Sequence, residues 1–411
     1  MYQRFQTENL LREVQNKYIS VLIGSRQVGK STLFSIMQKQ MQQPFSVYNL
    51  ENPLHLELFN RGYTSFTQQL HSKLVFIDEF QYCPNISSVF KAMYDLQPDI
   101  KIFASGSSSL EIMSHLKESL AGRKKETILY PLSFFEYLSA ELKTIAQTDG
   151  IESVSPIDEW EFYTNRFQNF LHFGALPGLY GMTEELEKRE YLFEIYKTYI
   201  AKDIKSFLRE ESILSFNKML TWLAMNNTSQ LNKHSLSKIV GVSSRQIDRY
   251  IEVLEGTFVM ASLPPFSKNK SKEITKMPKF YFYDQGIINT IIQDFRPFHL
   301  RPDVGSQKEA FVFWELKKYA DIRYAMYYWR TSDSQEVDFI LVKDRLILPI
   351  EVKSQWDIKK IPPGLKAFFS FYPEVERAIV FYDGLEDQLL YENKTIFFAP
   401  HYKASKALEL L

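Results

Sequence analysis

The sequence predicts an α/β fold whose largest part is a doubly wound parallel sheet. Short apolar runs alternate with helical stretches, which is typical of parallel strands joined by crossover helices. The strand candidates are residues 18–23, 45–50, 73–79 and 100–105. The first run leads directly into residues 24–31, which fit the spacing G-x-x-x-x-G-K-S/T with nothing inserted or missing. That spacing predicts a phosphate-binding loop, or P-loop, between a strand and a helix.

The residue types in this loop suit a bound phosphate. Gly24 and Gly29 allow the tight turn that points successive backbone N–H groups at an anion. Lys30 brings a positive charge to the β- and γ-phosphates, and the Ser31 hydroxyl can ligate Mg²⁺. The alternative is a glycine-containing turn that binds nothing. The predicted nucleotide-binding residues are Gly24, Gln27, Val28, Gly29, Lys30, Ser31, Thr32 and Asp78.

Two carboxylates, Asp78 and Glu79, end the third apolar run. A buried parallel strand with polar residues at its carboxyl end is expected to open on a ligand crevice. We expect Asp78 to hold Mg²⁺ together with Ser31, and Glu79 to be catalytic by polarising the attacking water. The alternative is a purely structural polar end of the strand.

An extra strand lies between the P-loop strand and the Asp-Glu strand in the sequence. This order resembles the additional-strand, catalytic-glutamate branch of P-loop ATPases. In that branch the following strand lies beside the P-loop strand and ends in a polar residue near the γ-phosphate. Ser105 takes that position here, with Ser107 as the other candidate. A serine-rich turn without a catalytic role is the alternative.

Length, charge and cysteine content set wider limits. The chain has 411 residues, enough for two or three domains, because single cores rarely exceed about 300 residues. Its 49 basic and 49 acidic residues balance, so the net charge argues neither for nor against nucleic acid. A single cysteine, Cys83, agrees with a reducing cytosol. Residues 1–10 lack a signal-peptide core and no apolar run approaches 18 residues, so we expect a cytoplasmic protein without a membrane partner.

The organisation of the sequence changes after the first domain. Residues 143–158 are polar and contain Gly150 and Pro156, which predicts a linker. Residues 160–208 are rich in aromatic side chains and helical in period, which predicts a small helical lid.

A helix-turn-helix is predicted at residues 236–254, where Gly241 ends the first helix and Ser243 or Ser244 caps the second. Apolar strands at 257–263 and 279–283 would complete a winged helix. Side chains suited to DNA phosphates and bases are Lys268, Lys270, Lys272 and Lys276 in the loop, and Arg245, Gln246 and Arg249 on the second helix. The alternative is a packing module with a solvated lysine-rich loop.

The C-terminal part carries polar residues inside apolar strands. Residues 327–330, 336–342 and 346–353 predict three strands in hairpin succession. Because side chains alternate along a strand, Glu351 and Lys353 share one face. Burying such charges without a partner or a metal costs several kcal/mol, so they are expected to be paired.

Asp338, followed thirteen positions later by Glu-x-Lys at 351–353, resembles the PD-(D/E)xK nuclease core. That resemblance implies that Asp338 and Glu351 bind Mg²⁺ and that Lys353 acts on the hydrolytic water. The preceding helix, 308–319, carries Glu309 and Glu315, and Glu315 is expected to complete the metal shell. Charges on an edge strand are the alternative.

The motifs together resemble the bacterial and archaeal AAA-superfamily ATPases that end in a domain of formerly unknown function, DUF4143, with a restriction-endonuclease-like fold. The motifs are residues 24–31, 76–79, 104–108, 119–123 with 130–136, and 336–339 with 351–353. The resemblance implies ATP and Mg²⁺ as ligands. It makes Arg123 a candidate catalytic arginine for the γ-phosphate, either in cis or from a neighbouring copy in a homo-oligomer. An ion pair with a nearby acid is the alternative. Ser105 stands where many relatives have threonine, and both supply a hydroxyl.

The predicted domains are a P-loop AAA-like ATPase domain at 1–140, a linker and helical lid at 141–215, a winged helix at 216–300 and a nuclease-like α/β domain at 301–411. Three functions remain open. ATP hydrolysis could drive a DNA-acting nuclease, or the chain could be an ATP-dependent switch or scaffold with an inactive nuclease-like domain. A motor related to replication-initiation ATPases is the third, and hexamer formation would favour it.

Overall fold

A computed structural model describes residues 4–107, 118–139, 156–198, 213–267 and 277–411. The strands of its first sheet are β1 Ile19–Ile23, β2 Phe45–Asn49, β3 Leu74–Asp78, β4 Lys101–Gly106 and β5 Lys124–Ile128. Their order is β2-β3-β4-β1-β5, and every neighbouring pair is parallel. The predicted parallel-sheet core is therefore confirmed, and β4 lies beside the P-loop strand β1.

Helices cover both faces of this sheet. They are α1 Phe5–Arg12, α2 Lys30–Gln40, α3 Pro53–Asn60, α4 Tyr63–Gln68 and α5 Ile86–Leu96. Alternate residues of β3 enter two cores: Val75 and Ile77 lie in the core that includes α5, whereas Phe76 packs on Phe34 of α2. Because both faces are buried, the strands are continuous apolar runs, which is why the sequence located them.

The middle of the chain is mostly helical. Its elements are α6 Pro156–Phe173, α7 Glu185–Thr198, α8 Ile213–Met225, α9 Lys233–Val240, α10 Ser244–Gly256, the antiparallel pair β6 Met260–Leu263 and β7 Lys279–Phe282, and α11 Gln285–Ile292. Gly241, at φ +79°, follows the end of α9, and Ser243 forms a capping box with Gln246 at the start of α10. The predicted linker lies largely outside the described residues, and so do Lys268, Lys270, Lys272 and Lys276.

The C-terminal part is a mixed sheet with helices. Its elements are α12 Val304–Tyr319, β8 Tyr324–Arg330, β9 Glu336–Lys343, β10 Leu346–Val352, α13 Pro363–Phe371, β11 Arg377–Tyr382, β12 Asp387–Tyr391, β13 Lys394–Pro400 and a final 3₁₀ segment, His401–Leu410. The strand order is β12-β13-β11-β10-β9-β8, and β8, β9 and β10 form the predicted hairpin succession. Across the described part of the chain, no helix is long and apolar enough to cross a bilayer.

A buried aspartate joins the segment after α6 to helix α11. The Asp284 carboxylate caps α11 by accepting from the N–H of Ile287 at 3.1 Å, and it also accepts from the N–H of Ala175 at 2.7 Å. Gly174, at φ +85°, must be glycine, because a Cβ there would lie 2.2 Å from Asp284 Oδ1. Burial raises the pKa of Asp284, while these backbone donors oppose the rise. The junction is therefore polar, buried and closely packed.

Replacing Asp284 with alanine should destabilise the protein by about 2–4 kcal/mol, because a helix cap is lost and the buried Ala175 N–H loses its acceptor. Asn232→Ala is the matched control, since Asn232 caps α9 at an exposed site by accepting from Ser235 N at 3.0 Å. That change should cost only about 1 kcal/mol. Urea unfolding of the full chain measures both. Equal losses would show that the contact with Ala175 contributes nothing.

Candidate functional site

The P-loop lies between β1 and α2 and contains two left-handed positions, Gln27 at φ 63° and Gly29 at φ 92°. A Cβ on Gly24 would lie 2.3 Å from the carbonyl oxygen of Leu129, so only glycine fits there. The side chain of Val28 is fully buried and fixes the middle of the loop. Gly29 is the N-cap of α2, so the free N–H groups of this helix face the loop. This arrangement is an anion-binding concavity.

Lys30, the first residue of α2, is only 6% exposed. Its Nζ donates to the carbonyl oxygens of Gly24 at 3.1 Å and Ser25 at 2.8 Å. The ammonium therefore lies folded over the loop. Because hydrogen bonds to an ionised acceptor are stronger than those to a neutral carbonyl, a phosphate would displace these partners.

The carboxyl end of β3 is joined to β4 by a side-chain hydrogen bond. Ser105 is fully buried, and its hydroxyl bonds to Asp78 Oδ1. The register explains the contact, since Leu22 of β1 pairs with Ser105 and Ile77 of β3 pairs with Ala104. Asp78 and Ser105 are therefore level with each other at the sheet edge where the P-loop begins.

Glu79 follows β3 in a left-handed conformation, at φ 55°. Its carboxylate accepts a hydrogen bond from the Gln81 side-chain amide. The Gln81 Oε1 atom in turn accepts from the N–H of Ser107 at 3.2 Å. Gln81, which the sequence analysis did not single out, thus fixes the Glu79 carboxylate beside the end of β4.

A cavity of about 250 Å³ opens between the P-loop and Glu79. Its walls include Lys30, Ser31, Thr32, Glu51, Glu79 and Tyr82. Glu51 and Tyr82 were missed. Glu51 follows β2, whose last residue, Asn49, pairs with Asp78, so the rule that identified Asp78 also applies to Glu51.

The oxygen donors at this edge suit Mg²⁺. The ion prefers hard oxygen ligands and is usually held by one or two protein groups together with substrate phosphates. Ser31 lies in the first turn of α2, on the cavity wall, and Asp78 is partly exposed at the end of β3. These two residues would hold Mg²⁺ against the phosphates of a bound nucleotide.

Arg123 lies at the opposite edge of the sheet. Its carbonyl oxygen accepts from the N–H of Ile19 at 3.0 Å, at the amino end of β1, whereas the P-loop follows the carboxyl end. The length of β1, about 16 Å, separates the two edges. The guanidinium pairs with Asp95, with Nε 2.8 Å from Oδ1, and this hydrogen bond lowers the pKa of Asp95. The expectation that Arg123 contacts the γ-phosphate in cis is therefore corrected, because strand polarity points it elsewhere.

A second cluster lies in the C-terminal sheet. The antiparallel register, in which Ile350 pairs with Phe339, brings Asp338 and Glu351 to the same face. The Lys353 ammonium donates to Glu351 Oε2 at 2.7 Å. Glu351 is 2% exposed, and burial together with the neighbouring Asp338 raises its pKa. Asp338, Glu351 and Lys353 therefore lie together.

Lys279, the first residue of β7, also belongs to this cluster. Its Nζ lies 2.9 Å from Glu309 Oε1 and 3.8 Å from Asp338 Oδ1, and it pairs with Glu336. Burial alone would lower the pKa of Lys279, but these carboxylates outweigh burial and raise it. The Tyr281 hydroxyl donates to the same Glu309 oxygen at 2.8 Å. The sequence signal for this residue is a lysine at the start of an apolar strand. The sequence analysis did not predict a role for Lys279.

Glu315, the expected third metal ligand, lies elsewhere. Its carboxylate accepts from the N–H of Phe134 at 3.3 Å and from Lys318 Nζ at 3.1 Å. Glu309 reaches the cluster instead. Six residues separate the two glutamates, which is about 1.7 helical turns, so they face different directions.

The C-terminal cluster does not fit the metal that the nuclease resemblance implies. Within the described residues, no group of three or more His, Cys, Asp or Glu side chains is arranged to hold a metal ion. The acids of the cluster are paired with two lysines, Lys279 and Lys353. We therefore derive no metal-dependent step at this cluster.

Family models match three parts of the chain. An AAA domain of the AAA_14 type matches residues 16–138, a domain of unknown function, DUF8612, matches 164–297, and the domain of unknown function DUF4143 matches 304–402. The P-loop geometry and the first match define an AAA-type ATPase. The matches support an AAA-type ATPase with a DUF4143 C-terminal domain.

Relatives match over most of the chain. An uncharacterised protein of Haemophilus influenzae is 24% identical over 367 residues, 84% of each chain. The uncharacterised protein MJ1544 of Methanocaldococcus jannaschii is 25% identical over 346 residues, 80% of this chain and 73% of that one. Among solved structures, the Walker-type ATPase PABY2304 of Pyrococcus abyssi is 14% identical, covering 71% of this chain and 96% of its own, with a TM-score of 0.48. The Orc1 protein of Aeropyrum pernix, solved with DNA, is 10% identical, covering 72% and 93%, with a TM-score of 0.34.

Replacing Lys30 with alanine should weaken ATP binding on the order of 100-fold, because a charge-assisted hydrogen bond to the phosphates is lost. Isothermal titration calorimetry with ATP measures the affinity. Lys39→Ala is the control, since Lys39 is an exposed lysine in the last turn of the same helix and should leave the affinity unchanged. Unaltered affinity in the Lys30 variant would refute the assignment of the P-loop.

Proposed function

We propose that this protein is a Mg²⁺-dependent ATPase that couples its nucleotide state to a DNA-acting, nuclease-like C-terminal domain. The observation that supports ATP hydrolysis best is the hydrogen bond between Asp78 and Ser105 beside the P-loop, with Glu79 on the cavity wall. A P-loop alone binds phosphates. Carboxylates at the end of β3, which β4 separates from the P-loop strand, add what the hydrolysis of ATP requires.

Each residue of the cavity then has a role. The phosphates of ATP take the place of the Gly24 and Ser25 carbonyls as acceptors for Lys30. Ser31 and Asp78 would hold Mg²⁺, which would supply positive charge to the phosphates when bound. Glu79 orients a water molecule and accepts its proton as the water oxygen attacks the γ-phosphorus and the bond to ADP breaks.

A chain of contacts leads from the P-loop to the C-terminal part. Pro177 packs against the loop, with its Cγ 3.8 Å from the position of a Cβ on Gly29. Two residues earlier, Ala175 donates to Asp284, which stands between β7 and α11. Strand β7 begins with Lys279, which lies in the C-terminal cluster. A shift of the P-loop on nucleotide binding would therefore be transmitted by direct contacts.

The second helix of the predicted helix-turn-helix supports DNA as a partner. Arg245 and Arg249 are exposed on α10 and, at a spacing of four residues, face the same direction. The helix N-terminus, capped by Ser243, lies beside them. Arginines on one helix face suit contacts with phosphates and base edges.

A second candidate function is an ATP-dependent switch or scaffold whose C-terminal domain does not cut. The position of Lys279 among the carboxylates favours it. DNA cleavage assays with Mg²⁺ and Mn²⁺ on single-stranded, double-stranded and branched DNA distinguish the two candidates. Cleavage that depends on Asp338 would support the nuclease, whereas ATP hydrolysis without cleavage would support the scaffold.

Replacing Glu79 with glutamine should leave ATP affinity within about twofold and lower kcat by about 10²–10⁴-fold, because an amide cannot accept the proton. Phosphate release under saturating ATP measures kcat. Glu51→Gln is the matched control, since Glu51 is the other glutamate of the cavity. If the Glu51 variant lost turnover and the Glu79 variant kept it, the assignment of the base would be wrong.

Replacing Arg245 and Arg249 together with glutamine should weaken DNA binding and reduce the slope of log K against log salt by about two, one unit per lost phosphate contact. Fluorescence anisotropy with a labelled duplex at several salt concentrations measures the slope. Changing Arg12 and Arg61, exposed arginines of the first domain, is the control. A slope that falls equally in both variants would rule out a specific DNA contact by α10.

A further inference from the structure

Lys279 enters the C-terminal cluster from another part of the fold. It begins β7, which pairs with β6 in the middle of the chain, and its side chain is 4% exposed. The carboxylates that it meets belong to the C-terminal part: Glu309 to α12, Glu336 and Asp338 to β9. A lysine with this many acidic neighbours is an intramolecular counter-ion.

The charges of the cluster show why this cation is needed. The acidic side chains are Glu309, Glu336, Asp338 and Glu351, and the basic ones are Lys279, Arg330 and Lys353. Arg330 pairs with Glu336 at 3.0 Å and Lys353 with Glu351 at 2.7 Å. Glu309 pairs with Lys279, with 2.9 Å between Nζ and Oε1. Without Lys279, the carboxylates of Glu309 and Asp338, whose side chains are 14% and 13% exposed, would lose the cation that lies between them, which would destabilise the folded protein.

The position of the ammonium also bears on metal binding. A divalent cation at this cluster would draw Glu309, Asp338 and Glu351 toward one point, because Mg²⁺ and Mn²⁺ require converging oxygens. In the part of the chain that is described, no acidic trio converges in this way. The space between Glu309 and Asp338 holds Lys279 Nζ. An ammonium and a divalent ion cannot occupy that space together.

We propose that Lys279 of the β6–β7 pair, and not a divalent metal, balances the charge of Glu309 and Asp338 in the C-terminal cluster. Lys279 then has two effects. It ties β7 to α12 and β9, and it keeps metal ions away from the carboxylates. This inference is independent of ATP binding and hydrolysis, so the P-loop assignment can fail without affecting it.

The test is a titration of the full chain with Mn²⁺ in the absence of nucleotide. Electron paramagnetic resonance of the free ion measures how much Mn²⁺ is bound. In the wild-type protein, Mn²⁺ binding should not depend on Asp338, so Asp338→Asn should leave it unchanged. Lys279→Gln should gain one site, and the double change with Asp338→Asn should lose it again. Lys343→Gln is the control and should gain none, because Lys343 lies on the same strand as Asp338 but its Nζ donates to the Leu411 carbonyl.

Two outcomes of this titration would overturn the proposal. One is a wild-type Mn²⁺ site that depends on Asp338, and the other is a folded Lys279→Gln protein that binds no more Mn²⁺ than wild type. If Lys279→Gln does not fold, the proposal predicts that adding Glu309→Gln restores the folded protein, because one uncompensated carboxylate is removed. Failure of that rescue, measured by circular dichroism, would overturn it as well.

Discussion

The hydrogen bond between Ser105 and Asp78 is the interaction on which the candidate ATPase site depends. It forms because β4 is inserted between the P-loop strand and the Asp-Glu strand, and because all three strands are parallel. Parallel pairing brings the carboxyl ends of the strands to one edge. The P-loop, Asp78 and Glu79 therefore meet there as a consequence of strand order. Contacts with more distant parts of the chain add to this arrangement but do not create it.

Aromatic packing makes the three parts of the chain share one core. Tyr130 follows the first sheet, Tyr283 follows β7 and Trp314 lies on α12. The Tyr283 ring centroid is 4.0 Å from that of Trp314 and 5.6 Å from that of Tyr130. Interiors packed in this way transmit displacement, because they have little free volume. The proposed coupling of nucleotide state to the C-terminal part would rely on this packing.

Local spacing was sufficient to predict the first site. The P-loop and the Asp78–Glu79 pair lie at the ends of strands that the sequence shows as apolar runs. Ser105 was predicted in the same way, from the end of the apolar run that forms β4. Glu51 also follows the carboxyl end of a parallel strand, but it lies outside the P-loop and Asp-Glu motifs and was not predicted. A motif gives no strand polarity, so only the register shows that Arg123 lies at the amino edge, away from the P-loop of its own chain. A contact with the γ-phosphate of a neighbouring copy stays a prediction.

The C-terminal cluster was predictable only in part. Two strands in hairpin succession fix Asp338 opposite Glu351, so the pair followed from alternation. Predicting which of Glu309 and Glu315 reaches the cluster required knowing how α12 is rotated about its axis. That helix is buried on nearly all sides from Gln307 to Leu316, so its sequence carries no amphipathic stripe from which to read the phase. Lys279 comes from a different part of the fold, so its position at the start of an apolar strand could mark it as unusual but could not show which carboxylates it meets.

The most direct test of the central claim is phosphate release from ATP by the purified full chain, with Mg²⁺ and with excess chelator. The account predicts release above background that requires Mg²⁺ and saturates with ATP, because Ser31, Asp78 and Glu79 meet at one edge. Tight ATP binding with no phosphate release under any of these conditions would contradict it. The P-loop would then be a binding site only.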